Sequence, residues 1–114
     1  MPRLIALLAL GALAGCSHPA ADRRAAAKAL IAAHCAACHV IPGVATARGQ
    51  VGPPLAGIAR RQIIAGRLPN TPENLRRFLL HPQSVQPGGA MPELGLTPAQ
   101  AAVIVDYLST LDNP

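Results

Sequence analysis

The stretch Leu30–Gly43, LIAAHCAACHVIPG, brings two thiols, Cys35 and Cys38, and an imidazole, His39, together at the end of an alanine-rich run. Three kinds of chemistry use such a set. A C-x-x-C pair can cycle between dithiol and disulfide, or it can supply half of a tetrahedral zinc site. With the adjacent histidine it can instead attach a haem, each thiol adding to one vinyl group while the imidazole takes an axial position on the iron.

What precedes the motif narrows the choice. Asp22 is a good N-cap for RRAAAKALIAAHC, where Ala27, Leu30, Ile31 and His34 share one face at helical spacing. A thioredoxin-like motif follows a strand in a βαβ unit, whereas a helix leads into this one. A zinc site needs further ligands, and His18, His34 and His81 show no metal-binding spacing. The motif alone favours haem without closing the other two readings.

A second candidate ligand lies far along the chain. Beyond the initiator, Met91 is the only methionine, in PGGAMPELGLT. Pro87 and Pro92 stiffen this loop while Gly88 and Gly89 let it turn. A lone methionine is more often packing than a ligand. A single thioether on a Pro-flanked loop, however, has the placement required of a sixth ligand, and it raises the iron potential relative to a second imidazole.

The N-terminus reads as a leader. MPRLIALLALGALAGC has a basic start, an apolar run from Leu4 to Leu13, and then small residues. The run is too short for a span of about 20 residues and has the three-part form of an export signal. Leu13-Ala14-Gly15-Cys16 resembles a bacterial lipobox, which implies a leader over 1–15 and lipidation of Cys16. Ordinary A-x-A cleavage after Ala14 is the alternative, and it leaves an unpaired thiol in an oxidising compartment. Residues 16–21 then form the lipidated end and a short linker, and 22–114 the single domain.

That domain has a thin core. Its only aromatic residues are Phe78 and Tyr107, so it needs a disulfide, a metal or a cofactor to fill its middle. The net charge of +5 is scattered, with no interleaved aromatics, which argues against a nucleic-acid surface. Two further helices are announced by caps, one at Thr71-Pro72 and one at Thr97-Pro98-Ala99-Gln100. The first has Leu75, Phe78 and Leu79 as its buried side and stops at His81-Pro82. The second carries the stripe Val103, Ile104, Tyr107, Leu108 and Leu111. Long Gly/Pro-rich loops lie between, Gly57–Ile64 is open to a short extra helix, and no strand pattern stands out.

From Asp22 to Leu111 the order helix, CAACH, GPPL, capped helix, PGGAMP, capped helix resembles the small single-haem class I cytochromes c. GRLPNTPENLRRFLLHPQSVQPGGAMPELGLT is most like the cytochrome c domain fused to subunit II of some bacterial haem–copper oxidases. The resemblance implies an all-α cytochrome c fold of three main helices and long loops around one covalent haem c. It implies thioether links at Cys35 and Cys38, axial ligation by His39 and Met91, and cofactor contacts from Pro53, Leu55 and Tyr107. The Pro53 carbonyl is expected to accept from His39 Nδ1–H, and Ala27 and Ile31 to cross Ile104 and Tyr107. Phe78 stands where many relatives carry Trp, and Arg60, Arg61 and Asn70 are the candidates for the propionates.

The function implied is electron transfer rather than catalysis. The carrier is expected on the periplasmic side of a bacterial membrane, held by the lipid at Cys16. Its expected partners are a quinol-oxidising complex and a terminal oxidase or reductase, with the chain a monomer or a fixed complex subunit. A dehydrogenase or oxidase haem subunit is the alternative. A peroxidase or gas sensor is a weaker one, since no distal acid–base set is present.

Overall fold

The computed structural model describes Gly15 and residues 18–114. Cys16 and, apart from Gly15, the expected leader lie outside the described residues. The described elements are α1 (Pro19–His34), a 3₁₀ turn (Ile58–Arg60), β1 (Ile63–Ile64), β2 (Leu68–Pro69), α2 (Pro72–Leu80), α3 (Pro82–Val85) and α4 (Pro98–Leu108). The architecture is all-α apart from one very short hairpin.

Helix α1 starts earlier than Asp22. His18 occupies the cap position and Pro19 the first helical one, where its fixed φ suits the helix and its missing N–H costs nothing. Asp22 lies in the first turn instead, where its charge still complements the helix dipole. The expected linker is therefore partly helical. The caps of α2 and α4 follow their sequence signals. Thr71 Oγ1 accepts from Asn74 N at 3.1 Å. Thr97 and Gln100 form a reciprocal capping box, with bonds of 3.2 and 2.9 Å.

The region expected as an extra helix divides in two. Gly57, at φ 69°, opens a single 3₁₀ turn that ends by Arg61. Ile63 and Ile64 then extend and pair antiparallel with Pro69 and Leu68. Ala65 and Gly66, at φ 51° and 70°, reverse the chain between them. Two-residue strands are too short to show an alternating pattern in sequence. After α2, His81-Pro82 ends one helix and begins the next: the His81 carbonyl accepts from Ser84 N and Val85 N in the short α3.

Helix α4 packs against both α1 and α2. At the α1 contact Ala27 and Ile31 are 1% and 0% exposed, and on α4 Ala101 and Ile104 are both 0% exposed. Val105 and Ala101 are buried although the apolar stripe did not single them out, and Val103 is only partly covered. Two alanines, one on each helix, let the backbones approach. At the exposed edge Arg23 bonds Asp106 through Nε at 2.9 Å, a surface ion pair worth about 1 kcal/mol or less. Tyr107 ties α4 to the loop after the motif, its hydroxyl donating to the Pro42 carbonyl at 2.7 Å, with the Arg24 guanidinium 5.2 Å from its ring centre.

A larger side chain at the helix crossing has nowhere to go. Ala27→Leu is expected to destabilise the folded protein by about 1–3 kcal/mol, read as a lower urea midpoint; an unchanged midpoint would show that the crossing is looser than described.

Candidate functional site

The buried faces of α1, α2 and α4 pack on one another where α4 crosses the other two, and the same faces line a space beside that contact. The space is a cavity of about 510 Å³, inside the range of about 300–1,000 Å³ that encloses small ligands and cofactors. Its walls are mostly hydrocarbon: Ile31, Ile41, Leu55, Ile64, Leu75 and Ile104 among others. Cys35, Cys38, His39 and Met91 all face the same space. Unfilled, a hole of this size would strip its lining of packing contacts and cost several kcal/mol.

His39 is fixed from two directions. The chain turns after α1 with Cys38 N and His39 N both donating to the Cys35 carbonyl, at 3.1 and 3.0 Å. The following loop then folds back onto this turn. Gly49 N donates to Ala36 O at 3.1 Å, Gly52 N to Cys38 O at 2.7 Å, and Leu55 N to Val40 O at 2.9 Å. Two glycines make that approach possible. A Cβ on Gly49 would meet the Ala37 carbonyl, and one on Gly52 would fall on the His39 ring. The return places the Pro53 carbonyl 2.7 Å from His39 Nδ1. A carbonyl can only accept, so Nδ1 carries the proton and Nε2 keeps its lone pair free for a metal. The bond also holds the ring angle and strengthens the imidazole as a ligand.

The two cysteines are unpaired thiols, Cys35 buried and Cys38 half-buried. Burial, and then the neighbouring Cys38, push the Cys35 thiol up to about 11. Reactive redox cysteines have lowered values instead, because the thiolate is the nucleophile. The raised value and the buried setting give Cys35 little of the thiolate character that a redox cysteine uses. That environment suits a buried attachment point and works against a dithiol–disulfide catalyst.

Met91 is half-buried on a loop closed by polar contacts, with Gly89 N donating to Gln86 O at 3.0 Å. Leu55, Pro53 and Phe78 are on the cavity wall as well. Tyr107, expected among the cofactor contacts, is not: it is spent on Pro42, away from the cavity. Of the three propionate candidates only Arg61 lines the space, and its guanidinium also donates to the Pro54 carbonyl. Arg60 is exposed and off the wall. Asn70 donates to the carbonyls of Ile58 and Arg61, at 2.8 Å each, so it braces the 3₁₀ turn. His34 does reach the wall, whereas His81 does not. Sequence reading missed the hairpin residues Ile63, Ile64 and Ala65 as part of the wall. Ile-Ile before Ala-Gly was their only signal.

Two thiols, an imidazole and a thioether thus line one mostly apolar cavity. The family model for cytochrome c matches residues 24–112. The chain belongs to the cytochrome c family, whose cofactor is a covalently bound haem c and whose chemistry is haem-based electron transfer. It is similar to cytochrome c oxidase subunit 2 of Alkalihalophilus pseudofirmus, at 33% identity over 78 residues, and to that of Bacillus sp. (strain PS3), at 35% over 81 residues. Each match covers 68% of this chain but only 22% and 23% of the relatives, so the chain spans about a fifth of their length.

The packing of Gly52 on the imidazole gives a direct test. Gly52→Ala is expected to push the His39 ring off its bond to Pro53, lowering the yield of haem-loaded protein and shifting its midpoint potential. Wild-type yield and potential in this variant would mean that the glycine is not required.

Proposed function

We propose that this chain is a lipid-anchored carrier of single electrons in a bacterial respiratory chain, with His39 and Met91 as the two axial ligands of its haem. The observation that carries the reading is that His39 and Met91 wall the same cavity as Cys35 and Cys38. Haem supplies the one-electron ferric–ferrous couple. With His39 and Met91 both held to the iron, no position would be left for a substrate, and the site would act as a carrier rather than a catalyst. The protein's part is to keep water from the cavity and to hold the two ligands still, so that little moves between oxidation states.

The thioether of Met91 favours ferrous iron and sets a higher potential than a second imidazole does. The potential therefore suits a donor to an oxidase. Relatives bearing the name cytochrome c oxidase subunit 2 support that context. The partners proposed are a quinol-oxidising complex upstream and a terminal oxidase or reductase downstream, both at the periplasmic face of a membrane. Among the described residues no helix is long and apolar enough to cross a membrane. Attachment is assigned to lipid on Cys16. Only Ser17 and His18 separate that residue from α1, and at roughly 3.5 Å per residue they keep the domain close to the surface.

The ferric protein is expected to show the long-wavelength methionine–iron charge-transfer band. Met91→Ala should remove the band and lower the midpoint potential; a wild type that lacks the band eliminates Met91 as a ligand. Cys16→Ser is expected to move the haem protein from the membrane fraction to the soluble one. Undiminished membrane attachment would place the anchor elsewhere.

A further inference from the structure

We propose that Gln83 is the positioning residue for Met91, holding the methionine loop closed through its carboxamide. The inference rests on Met91 as the sixth ligand. It concerns a residue outside the cavity lining, whose bond to Met91 runs through the backbone carbonyl.

Gln83 is the second residue of α3, half-buried beneath the loop. Its Nε2 donates to the Gly89 carbonyl at 2.8 Å and to the Met91 carbonyl at 2.8 Å. Its Oε1 accepts from Gly88 N at 3.2 Å. A primary amide has two N–H donors, and both are committed to this one loop. Within the loop the backbone adds one bond, Gly89 N to Gln86 O at 3.0 Å, since Pro87 and Pro92 carry no N–H. Among the described residues, no backbone N–H reaches the carbonyl of Gly89 or Met91. Gln83 is therefore their donor within the protein.

A second tie runs the other way. The Gln83 backbone N–H donates to Glu93 Oε1 at 3.2 Å, so the segment just past Met91 is drawn back onto the first turn of α3. The methionine is thus bracketed at Gly88–Gly89 before it, at its own carbonyl, and at Glu93 beyond it. Every bracket converges on one residue. On the other side of the site His39 is held by a tight backbone return and the Pro53 carbonyl. The methionine side has no such return and depends on a side chain.

The consequence is an equilibrium between a closed loop, with methionine on the iron, and an open loop. Bonds present only in the closed form set its population, and an outside ligand reports that population through its apparent affinity. Imidazole added to ferric holoprotein is the probe. Two variants separate donation from bulk. Gln83→Ala removes the amide, whereas Gln83→Glu keeps its shape but sets an acceptor against two carbonyl oxygens.

Both variants are expected to bind imidazole roughly tenfold to hundredfold more tightly than wild type, the effect of losing two or three hydrogen bonds. Both should also weaken the charge-transfer band and lower the midpoint potential, while far-UV circular dichroism keeps the wild-type helix signal. Wild-type imidazole affinity in both variants overturns the proposal. Tighter binding in Gln83→Ala alone, with Gln83→Glu behaving as wild type, overturns donation and leaves only packing. A wild-type protein without the band overturns methionine ligation itself, a failure distinct from the other two.

Discussion

Where α4 packs across α1 and α2, the three helices also wall a space of about 510 Å³, and nearly everything else follows from it. With Phe78 and Tyr107 as its only aromatic residues, the chain lacks the side-chain volume to fill its own centre. What it does build is a wall: aliphatic residues from α1, α2 and α4, with two thiols, an imidazole and a thioether facing inward. The lining of such a cavity gains packing contacts from an occupant that fills it, since it otherwise has contacts on one side alone. The covalent haem of the cytochrome c family is that occupant. It supplies both the redox centre and the missing part of the core.

The two ends of the site are held by different means. On the histidine side the control is main-chain and covalent: the tight turn after Cys35, the close approach of Gly49 and Gly52, and the 2.7 Å bond from Nδ1 to the Pro53 carbonyl. These contacts leave His39 almost no freedom. On the methionine side the loop is held by one backbone turn, Gly89 N to Gln86 O, and by the side-chain amide of Gln83. Under the proposed ligation by His39 and Met91, this would pair a rigid ligand with a more easily released one, so that the potential could be tuned at one end without loosening the attachment at the other.

Much of this was legible in the sequence, and the exceptions have physical causes. CAACH, the Thr-Pro starts of α2 and α4, and the Pro-flanked Met91 are local signals, each confined to a few residues. They located α1, α2 and α4 and the groups that face the cavity, whereas the short α3 falls where a loop was expected. The start of α1 was misplaced because Asp22 is a good cap by composition, while Pro19 fixes the helix through its backbone. The hairpin at Ile63–Pro69 is too short for periodicity to register. Tyr107 lies on the buried stripe of α4, but a stripe does not say which of several neighbours a side chain meets, and this one meets Pro42. The role of Gln83 was invisible for a similar reason. A glutamine's bonding partners depend on how the loop folds over it, and nothing in its neighbours fixes that fold.

The claim that the cofactor completes the core is tested most directly by comparing unfolding of the haem-loaded protein with that of the haem-free Cys35→Ala/Cys38→Ala chain, followed by far-UV circular dichroism. The loaded protein is expected to unfold in a single cooperative transition. The haem-free chain should show a weaker helix signal and no cooperative transition. A haem-free chain with the same helix content, melting cooperatively at the same temperature, would contradict the claim.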